Sequence, residues 1–89
     1  MSIKLTLPED FEDYAWEAEA KGVFWDTSAR IGDREVTVTF YDPVRLSQDI
    51  EEDLREHRVM ELNRVLVIPR VTKQHMLEAA DRASPEFFL

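Results

Sequence analysis

A chain of 89 residues with a formal charge of −8 and no cysteine excludes disulfides, thiolate metal sites and thiol catalysis. Its 44% hydrophobic content is enough for a folded core, so one domain over residues 1–89 is expected in place of a disordered tail. Nineteen acidic against eleven basic side chains repel phosphate backbones and anionic lipid, which argues against nucleic-acid and membrane partners.

MSIKLTLPED lacks the layout of a signal peptide and no stretch could span a bilayer, so a soluble, cytoplasmic protein is expected. Ile3, Leu5 and Leu7 alternate with Lys4 and Thr6, as in a half-buried strand. Pro8 suits a first helical position, with Glu9 and Asp10 at the positive dipole end. That helix runs to about Lys21 and ends at Gly22, with Phe11, Tyr14, Ala15 and Ala18 on its apolar stripe. Trp16 falls off the stripe, near Glu12 and Glu19.

WDTSARIGDREVTVTFY folds back on itself with Gly32-Asp33 in a type II′ turn. The register sets Trp25, Thr27, Ala29 and Ile31 opposite Phe40, Val38, Val36 and Arg34 on a mostly apolar face. Phe24, Asp26, Ser28 and Arg30 oppose Tyr41, Thr39, Thr37 and Glu35 on a polar one. Trp25 and Phe40 are therefore expected in the core. Phe24 and Tyr41 are either anchors on the open face or are covered there by the last helix or the tail.

Asp42 can cap a second helix from Pro43 to about Glu56, with a narrow apolar line of Leu46, Ile50 and Leu54. Asp49, Glu52, Asp53 and Glu56 share one of its faces, where three- and four-residue offsets bring like charges together. Glu51–Arg55 and Arg45–Asp49 offset part of that repulsion. RVLVIP reads as a strand buried on both sides. Thr72 then caps a last helix, stapled by Val71 and Met76, with an inner stripe of Met76, Leu77, Ala80 and Ala83. Ser84-Pro85 ends it, before the apolar tail Phe87-Phe88-Leu89.

These elements predict an α+β fold: a ferredoxin-like βαββαβ sandwich with an additional C-terminal helix that shields part of the second sheet face. The alternative is a mixed four-stranded sheet with three helices, in which the strands around Thr39 and Val67 pair directly through a βαβ unit.

Nothing in the chain assembles a catalytic, cofactor or metal motif. His57 and His75 lie in no metal-ligand spacing, no serine sits in a nucleophile elbow, and two glycines cannot build a phosphate cradle. No catalytic, cofactor-binding or metal-ligating residue is therefore assigned, and no enzyme activity is expected. The expected function is protein binding, as an inhibitor, immunity-type protein or adaptor. Asp49, Glu52, Asp53, Glu56, Trp16, Phe24 and Tyr41 would meet a basic partner surface. The alternatives are a self-associating regulatory or small-ligand domain, dimeric through a sheet edge or exchanged tail, or an enzyme using carboxylates.

Overall fold

The computed structural model describes residues 3–88. Four strands, β1 (Lys4–Thr6), β2 (Val23–Ile31), β3 (Arg34–Tyr41) and β4 (Val65–Val67), form one sheet in the order β1-β2-β3-β4. Helix α1 (Phe11–Lys21) joins β1 to β2, α2 (Pro43–His57) joins β3 to β4, and α3 (Lys73–Arg82) follows β4. β1 and β3 run antiparallel to β2, whereas β3 and β4 are parallel. The result is an α+β fold with a mixed sheet and three helices.

The element order agrees with a split βαβ plan plus one helix, but the strand order differs from it. β3 and β4 are direct neighbours, paired Thr39 to Val65, Phe40 to Leu66 and Tyr41 to Val67. That is the unsplit βαβ unit of the alternative arrangement.

The hairpin turn is where alternation places it. Gly32 has φ 61 while Asp33 is not among the positive-φ residues, the sign pattern of a II′ turn. Opposed pairs run from Ile31–Arg34 through Ala29–Val36 to Thr27–Val38 in the expected register. The ladder then shifts between Phe24 and Thr27, so that Phe24 pairs with Phe40 and Val23 with Tyr41. This bulge sets Trp25 and Asp26 together against Thr39. A bulged residue loses its place in the alternation. Trp25 is consequently 60% exposed and Phe24 only 9%, reversing the expectation that Trp25 belongs to the core with Phe40.

The core lies on one sheet face. Phe11 and Ala18 of α1, Phe24, Ala29, Val38 and Phe40 of the hairpin, Ile68, Val71, Met76 and Phe88 form one buried cluster. The α1 stripe packs as its spacing requires, and Gly22 ends the helix with φ 73 and its N–H bonded to the Ala18 carbonyl. A methyl at Gly22 would stand 2.5 Å from Asp42 Oδ2, so the chain needs glycine there for conformation and for space. The α1 start is later than Pro8 suggests. Pro8 instead closes a turn, its carbonyl accepting from Phe11 N–H at 3.0 Å, and the backbone leaves helical values again at Tyr14.

Helix α3 packs against this same core through Met76 and Ala80, not against the second face as expected. Thr72 Oγ1 caps it by accepting from His75 N–H at 3.2 Å, and Val71 and Met76 are fully buried as the staple requires. Leu77 is 39% exposed, so Ala79 takes its share of the inner stripe. The chain then turns through a short 3₁₀ segment that buries Phe88 against its own core. Leu89 of the tail lies outside the described residues.

Alternation points Tyr41 away from Phe40, and its hydroxyl bonds to Asp49 of α2, which puts this helix toward the sheet face opposite the core. Asp42 Oδ1 caps it by accepting from Arg45 N–H at 2.7 Å, and Pro43 fills the first position. No α2 residue is buried. β4 is accordingly an edge strand exposed on its outer face, with Val67 at 52%, and not a strand buried on both sides.

Candidate functional site

Of the four acids on the α2 face, Asp49 is committed inward. Its Oδ2 accepts from the Tyr41 hydroxyl at 2.7 Å and its Oδ1 from Arg45 Nε at 2.9 Å. Burial, then the hydrogen bond to the Asp49 carboxylate, pushes the Tyr41 hydroxyl up to about 12. Asp53 is half-buried on the same side, whereas Glu52 and Glu56 are exposed. Glu51 reaches Arg55 at 3.6 Å, the pairing expected from their spacing.

The predicted anchors divide. Trp16 is 72% exposed on the outer side of α1. Tyr41 is half-buried and engaged with Asp49, so it belongs with the acidic helix instead of an open sheet face. Phe24 is withdrawn from the surface, its ring 5.1 Å from that of Phe11 and 6.1 Å from Tyr14. Glu52, Glu56 and Trp16 remain displayed from the predicted set.

Sequence reasoning missed Trp25. Two consecutive aromatic residues cannot both face the core of a regular strand, and strict alternation selects the wrong one once an extra residue enters the ladder. Trp25 borders a cleft of about 230 Å³ between α1 and β2. The cleft lies along the first half of β2, which has no β1 partner, since β1 pairs with Ser28 to Arg30. Tyr14, Glu17 and Lys21 line it from α1, Phe24, Trp25 and Asp26 from β2. Glu17 and Lys21 are paired at 3.0 Å. Partial removal from water, with the Asp10 and Asp26 carboxylates nearby, raises the Tyr14 pKa above its ordinary value.

A larger cleft, about 480 Å³, separates α3 from the β4 edge. His75, Glu78 and Arg82 line it. The His75 Nδ1 shares a 2.7 Å hydrogen bond with Thr72 Oγ1, and Glu78 accepts from Gln74 at 3.3 Å. Among the described residues, no three His, Cys, Asp or Glu side chains converge as a metal ion needs.

No protein-family model, no curated protein and no solved structure matches the chain. Among the described residues, no helix is long and apolar enough to cross a membrane.

Proposed function

We propose that this chain is a protein-binding module whose acidic side engages a basic protein surface, in the manner of an inhibitor or adaptor. The observation that carries the reading is α2: fifteen residues long, with none of them buried. Such a helix adds little to the core and serves chiefly to display what it carries. It carries Glu52 and Glu56 outward, in a chain whose overall charge of −8 accelerates encounter with a cationic partner.

The test is affinity capture on the immobilised full chain from the cells that make it, at low and moderate salt. A double variant, Glu52→Lys with Glu56→Lys, serves as the control. The wild type is expected to retain basic proteins that moderate salt weakens and the variant does not hold. Identical retention by both chains, or none that responds to salt, would reject the reading.

A second reading, self-association, draws on the open β4 edge and on Val67, Leu62, Val59 and Leu54, each at least half exposed. Sedimentation of the full chain over a wide concentration range decides it. A monomer throughout removes it.

A further inference from the structure

The α1–β2 cleft is lined both by Trp25, 60% exposed, and by Tyr14, which packs on the core, and its lining carboxylates outnumber its cations. Its volume of about 230 Å³ falls below the roughly 300–1,000 Å³ of sites for drug-sized ligands and suits one long side chain. Backbone geometry holds Trp25 at this mouth, because the bulge takes it out of the ladder and turns Phe24 inward in its place. Bulges re-aim side chains in this way beside functional sites. A solvent-facing Trp is also the residue type that most often anchors a protein interface.

The charges choose the ligand. Asp26 and Glu17 line the cleft, and Asp10 adds a further negative charge near Tyr14. Against the two lining carboxylates stands one lining cation, Lys21. Arg45 reaches the Lys21 carbonyl at 3.2 Å, but its guanidinium is already neutralised by Asp49 at 2.9 Å. No ion pair engages Asp26 among the described residues. The Glu17–Lys21 pair is a surface pair with both side chains about half exposed, which a better-placed cation displaces at little cost. Anions are repelled here, and a neutral apolar group would strip water from Asp26 without replacing it.

We propose that this cleft receives an arginine side chain of a basic partner protein, its guanidinium lying against the Trp25 indole while Asp26 and Glu17 accept its hydrogen bonds. Arginine fits better than lysine because its guanidinium is flat, weakly hydrated and offers a fork of donors to carboxylates while stacking on an aromatic face. The assignment rests on the reading of the chain as a module for basic proteins, and names the anchor of that contact.

The probe is a blocked peptide, acetyl-Gly-Gly-Arg-Gly-Gly-amide, titrated into the isotope-labelled full chain and followed by NMR. Saturable shifts are expected at the Trp25 indole N–H and at the amides of Trp25, Asp26 and Lys21. The same peptide with citrulline, which keeps the shape and removes the charge, should bind about tenfold more weakly. Trp25→Leu should weaken the arginine peptide about fivefold, the size of an exposed cation–π contact. Asp26→Asn should weaken it severalfold. Both positions are solvent-facing, and the unperturbed spectrum of the remaining amides confirms that each variant folds.

Shifts confined to another surface, equal binding of citrulline, or unchanged binding by Trp25→Leu would each overturn the assignment, as would tighter binding of a lysine peptide. Capture of a basic protein that needs Glu52 and Glu56 but survives Trp25→Leu removes the cleft and leaves the wider reading standing. Loss of the wider reading is seen separately, as capture indifferent to the α2 charges.

Discussion

The Tyr41 hydroxyl ties a strand to a helix through one carboxylate, and its displaced titration makes that tie measurable. Its pKa is pushed up to about 12, against 10.0 for an ordinary tyrosine, by burial and by Asp49. Between those values the folded chain holds a proton that the unfolded chain has lost, so stability must fall as pH rises through that window. The contribution is fully present below pH 10. Phenolate absorbance should therefore show one tyrosine titrating well after a free phenol, and Tyr41→Phe should abolish that late step and flatten the alkaline loss of stability. Near neutral pH the same substitution should cost about 1 kcal/mol, the worth of one hydrogen bond, in denaturant unfolding. Arg58 is a different residue-scale feature. It ends α2 with φ 66, left-handed backbone that strains any residue carrying a Cβ but not glycine. Arg58→Gly should raise the denaturation midpoint, by about 0.5–1 kcal/mol of stability. A lower midpoint would mean that the arginine side chain makes a contact worth more than the strain.

Among the elements, α2 and α3 are both capped by a side chain yet differ in what they bury. α3 buries Met76 and Ala80, whereas α2 buries no residue and exposes Leu54. Helical stability comes mostly from packing of an apolar face, so α2 should open locally well below the global unfolding free energy. Hydrogen exchange should find α2 amides exchanging faster than those of α3. Equal protection would show α2 to be part of the same cooperative unit. Both caps, the hairpin turn and the α1 stripe were legible in the sequence because each is a local rule: a side chain two or three residues from the N–H it accepts from, or a glycine where φ must be positive. The bulge was not legible, because inserting one residue leaves composition unchanged and only shifts the parity of what precedes it. Five of the eight expected pairs, from Thr27 to the turn, were therefore correct and three were displaced, and the displaced stretch holds the α1–β2 cleft. The side of the sheet taken by α3 was likewise hidden. Its stripe states that it buries a face, not against which surface.

At the scale of the whole molecule, the core is one-sided and is closed by the last residues described. Phe88 is 1% exposed and packs with Met76 and Val71 against the sheet. Phe88→Ala should cost about 3–5 kcal/mol, a large part of the stability of a domain this small, and lower the thermal midpoint by well over 10 °C. A small shift would show that the sheet and helices close over the vacancy. The order in which the polypeptide is made gives this arrangement a kinetic side. The hairpin that holds Val38 and Phe40 is complete by Tyr41, while three residues that seal it, Val71, Met76 and Phe88, are translated at least thirty residues later. During that interval the nascent chain carries an uncovered oily sheet with an open margin. Ribosome-bound chains halted before Val71 should accordingly recruit chaperones and clump when released, and chains extended past Phe88 should do neither.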